Sequence, residues 1–135
     1  MIQFAQKAVI HRDDTLLMVR KALTDPFQPG RWELPGGRLQ QGETPDEALV
    51  REVREEVGLT VQPGLPLALW SWRLQDSTVV AVARSCEIVS GELDLSGHDV
   101  GDHIERAAWV ELDTVLKLDL IPSARTPITT VLERL

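Results

Sequence analysis

Glu52, Glu55 and Glu56 stand at i, i+3 and i+4 within the stretch GGRLQQGETPDEALVREVREEVGL, residues 36 to 59. On a helix turning 100° per residue the three carboxylates leave along one arc. Like charges at that spacing repel weakly when exposed and more strongly when partly desolvated. A divalent cation removes that cost, because carboxylate oxygens are the hard ligands that Mg²⁺ or Mn²⁺ takes, commonly beside the phosphate oxygens of a substrate. A solvated acidic face is the competing reading, since Glu47 with Arg51 and Arg51 with Glu55 make ordinary i,i+4 pairs.

The helix that must position these groups is well marked. Thr44 is a capping residue, Pro45 suits the first helical position, and Glu47 completes a capping box. Gly58 after Val57 is a stop signal, so the spacing predicts a helix over 45–57. Leu49, Val50, Val53 and Val57 share an arc about 100° wide, the face to be buried. The glutamates border that face, at the core's edge.

Around the helix, QFAQKAVIHR and TLLMVRKA flank Asp13-Asp14 as a β-hairpin. RWELP reads as a short strand broken by Pro35, Gly36 and Gly37. LALWSWRL, STVVAVARSCEIVSG and AAWVEL read as further strands, LDTVLKL as a brief helix, and PSARTPITTVLERL as a closing helix with Pro127 near its first turn. The order β-β-β-α-β-β-β-α-α predicts an α/β or α+β sandwich, a mixed sheet with helices on both sides. At 135 residues, 43% hydrophobic and 26% charged, one domain over residues 1–135 is expected.

The net charge of −7 argues against nucleic acid or an anionic membrane as partner, because the long-range field repels both. Any polyphosphate substrate must then be met by cations. With no basic leader before an apolar segment, and no run of membrane-spanning length, a cytoplasmic location is expected. Cys86, the one cysteine, is expected to be a packed strand thiol without chemistry.

Gly37, five residues, Glu43, seven residues, then Arg51-Glu52-Val53, Glu55-Glu56, Gly58 and Leu59 fill every specified position of the Nudix box. The chain resembles the Nudix (MutT-like) hydrolases, and the approach GRWELPGG and the later IERAAWVELDTV extend the likeness over essentially its whole length. The resemblance implies an α/β/α sandwich and Mg²⁺- or Mn²⁺-dependent hydrolysis of a nucleoside diphosphate linked to another moiety. It implies Glu52, Glu55, Glu56 and the Gly36 carbonyl as metal ligands, Arg51 as the residue orienting them, and Gly37 and Glu43 as loop or outer-shell residues. The proton acceptor stays open between Glu52 and Glu55, with Glu105, in the loop GHDVGDHIERAAWV, as a further candidate or else an exposed loop residue. His98 and His103 of the same loop are read as solvated.

For the substrate, Trp70 and Trp72 alternate onto one face of a strand, there either to stack on a base or to pack, while Trp109 is expected in the core. Arg20, Lys21, Arg31 and Arg38 are either phosphate contacts or solvated cations. Arg125 stands where the family's oxidised-purine enzymes carry a base-reading asparagine, which speaks against that role. A (d)NTP or similar small nucleotide is the expected substrate, cleaved to the monophosphate and pyrophosphate by a monomer or homodimer. ADP-ribose or nucleotide-sugar hydrolysis and a non-catalytic nucleotide sensor are the alternatives.

Overall fold

The computed structural model describes residues 1–96 and 103–135. Strands β1 (Ile2–Arg12) and β2 (Thr15–Lys21) form the expected hairpin, Asp13 taking the left-handed turn conformation at φ 53°. They pair only next to the turn, His11 with Leu16 and Arg12 with Thr15. Beyond it each finds other neighbours, and this splay makes room for a cleft.

Strand β1 runs antiparallel to β4 (Gly36–Arg38) and parallel to β6 (Ser77–Ser90), which pairs with the long β5 (Thr60–Leu74). Strand β2 pairs with β3 (Trp32–Glu33) and β7 (Ile104–Glu111). The result is a mixed seven-stranded sheet. The glycine pair that reads in sequence as a strand breaker is thus itself a strand. Gly36 has φ +147°, and a Cβ there would lie 2.1 Å from the Gln6 carbonyl oxygen, so only glycine lets β4 approach β1 so closely.

The centre of the sheet is buried on both faces, which is why residues 8–10 of β1 and 16–19 of β2 read as continuous apolar runs. Ala8, Ile10, Leu17 and Val19 face α1 (Pro45–Val57), meeting its Leu49, Val53 and Val57. Val9, Leu16 and Met18 face the other way, toward Ile128 and Val131 of α2 (Arg125–Glu133). The closing helix is shorter than its sequence reads, because Pro122–Ala124 form a 3₁₀ turn, and the brief helix before it, Leu112–Lys117, is 3₁₀ as well. Trp109 is half-buried rather than core, with the Arg12 guanidinium 4.0 Å above its ring. Cys86 is buried as expected, and burial pushes its thiol up to about 11. No helix among the described residues is long and apolar enough to cross a membrane.

Helix α1 has the predicted bounds, with both capping-box hydrogen bonds present at 3.2 Å. Replacing Thr44 by Ala removes the cap and leaves the Glu47 N–H to water, which should cost about 1 kcal/mol in chemical denaturation.

Candidate active site

Two anchors fix α1 on the sheet. At its N-terminal end the buried Gln6 donates from Nε2 to the Pro45 carbonyl at 2.7 Å, and Arg84 donates to Gln6 Oε1 and pairs with Asp46 at 2.7 Å. At its C-terminal end Glu56 turns inward, 5% exposed, and accepts a hydrogen bond from the Gly36 N–H at 2.8 Å. Glu56 therefore lies inside the core rather than at its edge. Desolvation pushes its carboxyl up to about 8, although the Lys7 ammonium and the Gly36 hydrogen bond favour the ion.

Arg51 answers the repulsion among the remaining acids. It donates to Glu43 at 2.6 and 3.0 Å, to Glu52 at 2.9 Å, to Glu55 at 3.3 Å and to the Arg38 carbonyl at 3.2 Å. Its hydrogen bonds, that to Glu43 foremost, keep the guanidinium protonated. Glu43, held below the usual carboxylate range by Arg51, also accepts from the Gln40 N–H at 2.9 Å and so ties the loop to the helix. Glu52 lies against Gly37, where a Cβ would come within 2.4 Å of the carboxylate. Here glycine is needed for close approach.

Gly36, Gly37, Arg38, Glu52 and Glu56 line a cleft of about 660 Å³ together with Trp70 and Trp72, whose rings stack 6.4 Å apart at 28°. Glu55, 44% exposed, is held by Arg51 and does not line the cleft. Neither do Arg20 and Glu105, which pair with each other, Arg20 also lying 6.0 Å from the Trp32 ring. Arg125 donates to the Leu116 carbonyl at 3.1 Å instead, and its neighbours Ser123 and Ala124 face the cleft. Arg31 sits 3.9 Å from Asp119. The His103 carbonyl accepts from the Ala22 N–H, and His98 lies outside the described residues.

Sequence reasoning passed over Lys7, Glu33, Phe27 and Arg73, all of which line the cleft. Lys7 and Glu33 carried a usable signal, charges of opposite sign inside two apolar strands, where each needs a partner. Lys7 meets Glu33 at 2.7 Å, and Lys21 meets the other Glu33 oxygen at 3.4 Å. Among the described residues the cleft lining holds four cations, Lys7, Lys21, Arg38 and Arg73, against four acids, Asp25, Glu33, Glu52 and Glu56. With Glu56 holding its proton up to about 8, a chain of net charge −7 thus presents at neutral pH a cleft whose described lining carries no net negative charge.

The raised Glu56 pKa sets a pH dependence. The folded state holds its proton up to about 8 and the unfolded chain only to about 4.5, so this contribution is complete below 4.5 and lost as pH rises to 8. In metal-free buffer, thermal midpoints across this window should fall less for Glu56→Gln than for the unaltered chain.

A family model described as the NUDIX domain matches residues 1–131. The chain is 31% identical over 116 residues to an ADP-ribose pyrophosphatase of Methanocaldococcus jannaschii, covering 84% of this chain and 64% of the relative. It therefore spans just under two thirds of that protein. With the 8-oxo-dGTP diphosphatase of Escherichia coli it shares 26% identity over 139 residues, covering 94% of this chain and 93% of the other. The crystal structure of a MutT protein from Methanosarcina mazei superposes with a TM-score of 0.82 at 25% identity, covering 98% of this chain and 94% of that one. With the domain matched across nearly its full length and the box folded as a loop, a capped helix and a carboxylate-lined cleft, the chain belongs to the Nudix hydrolase family.

Proposed function

We propose that the chain is a pyrophosphohydrolase that uses Mg²⁺ or Mn²⁺ to cleave a nucleoside triphosphate or related small nucleotide to the monophosphate and pyrophosphate. The observation that carries this reading is the placement of Glu52 and Glu56 against Gly36 and Gly37 in the same cleft as the Trp70–Trp72 stack.

The donor set suits a hard divalent cation. Its side-chain donors are carboxylates, no thiol or imidazole among the described residues lines the cleft, and the buried Glu56 carboxyl is one that a nearby cation would draw into its ionised form. Among the described residues no three His, Cys, Asp or Glu side chains are already gathered around one point. A cation held by Glu52, Glu56 and the Gly36 carbonyl would leave positions for water and phosphate oxygens, as Mg²⁺ prefers. Once bound, it supplies polarisation of the attacking water and neutralisation of charge on the phosphate oxygens.

The chain's own residues do the remaining work. Arg51 fixes Glu52, whose carboxylate faces the cleft beside Gly37 and is assigned the proton of the attacking water. Glu55, on the same guanidinium, completes the acidic rim. Arg38, Arg73 and Lys21 offer positive charge to the phosphates, and Trp70, Trp72 and Phe27 offer rings to the base. Glu105, paired with Arg20 outside the cleft lining, has no part in this scheme.

A panel of nucleoside triphosphates, ADP-ribose, dinucleoside polyphosphates and nucleotide sugars in Mg²⁺ tests the proposal through phosphate release. A triphosphate should yield phosphate only when inorganic pyrophosphatase is added. Glu52→Gln should lower the rate by about 10²-fold or more. The likeness to a protein named ADP-ribose pyrophosphatase favours ADP-ribose as the second reading, recognised by AMP formed without pyrophosphate. If every compound survives while some bind, the chain is a sensor rather than an enzyme.

Gly37→Ala supplies an independent check. Its methyl would meet the Glu52 carboxylate first, a flexible side-chain end, so the fold should persist by circular dichroism while hydrolysis falls at least about tenfold.

A further inference from the structure

Lys7 occupies an unusual place for an ammonium group. Its Cα faces Gly36 across the β1–β4 ladder, so close that a Cβ on Gly36 would lie 2.9 Å away. Gly36 in turn donates to Glu56. The Lys7 side chain, 14% exposed, ends on Glu33 at 2.7 Å, and Lys21 shares that carboxylate at 3.4 Å. Lys7, Lys21 and Glu33 together therefore carry one positive charge in excess, in the cleft that Glu52 and Glu56 also line. Burial alone would lower the Lys7 pKa, yet Glu33, Glu56 and Glu52 outweigh it and raise the value.

We propose that Lys7 is a tethered counter-charge of the carboxylate site, lowering the affinity of the nucleotide-free site for a divalent cation so that cation uptake depends on the arriving phosphates. The inference rests on the metal-dependent reading above. A fixed ammonium compensates part of the charge on Glu52 and Glu56 and repels any further cation by a Coulomb energy that burial leaves poorly screened. A polyphosphate brings the negative charge that offsets this repulsion. Lys7 is thus a positioning residue for charge and does not itself act on the reacting atoms.

The test is calorimetric titration of nucleotide-free protein with Mg²⁺ at about pH 8.5, where protons compete least for the carboxylates. Lys7→Gln keeps a donor for Glu33 and removes the charge, and should bind Mg²⁺ at least about fivefold more tightly than the unaltered chain. Lys7→Arg keeps the charge and should stay within about twofold of it. If Lys7→Gln does not fold, Lys7→Met serves, with the same gain expected. Equal or weaker binding by a folded neutral variant would overturn the role of Lys7 alone. An unaltered chain that takes up no divalent cation, with or without a nucleotide triphosphate analogue, would overturn the metal-dependent reading and this inference together.

Discussion

The hydrogen bond from the Gly36 N–H to the buried Glu56 carboxylate fixes where the box helix meets the sheet, and the geometry of the cleft follows from it. A carboxyl group taken out of water demands a donor. The nearest is a backbone N–H on β4, available because Gly36 carries no side chain and lets that strand approach β1. Glu56 sits among Val53, Val57 and Leu49 on the inward side of α1, so its polar contact is embedded in the apolar packing that holds the helix. Stability and site geometry are therefore coupled at one residue.

The acids of the box are compensated in two different ways. Arg51 serves the exposed side, using a planar guanidinium to bridge Glu43, Glu52 and Glu55 and to bind the Arg38 carbonyl. Surface pairs of this kind contribute little stability individually, and their value lies in restricting where Glu52 points. The inner side relies on Lys7 and Lys21, which share Glu33 in a less hydrated setting. A chain acidic overall can in this way present to an anionic ligand a cleft whose described lining carries no net negative charge at neutral pH.

The splay of β1 from β2 is the architectural counterpart of this charge arrangement. Because the two strands pair only beside their turn, β4 is free to pair with β1 and β3 with β2, while β7 runs along the other edge of β2. The cleft thereby draws its lining from β1, β2, β3, β4, α1, β5, α2 and the segments after β2 and before α2. No single stretch of sequence contains it.

By itself the sequence determined α1, its bounds, its cap and the Leu49, Val53 and Val57 part of its buried face, though Val50 is only half-buried, because those signals are local: a capping box spans four residues and i,i+4 pairing spans one turn. It also determined the pairing of Arg51 with Glu55 and the shared face of Trp70 and Trp72, both consequences of helix or strand periodicity. Only the tertiary structure decided that Gly36 and Gly37 form a strand, since that depends on the approach of β1 from 29 residues away in the Lys7–Gly36 register. It likewise decided that Glu56 is core, that Glu105 is neutralised by Arg20 at a separation of 85 residues, and that Arg125 turns to a carbonyl instead of the cleft. Such partners are set by sheet order and close packing, which no periodicity in the chain encodes.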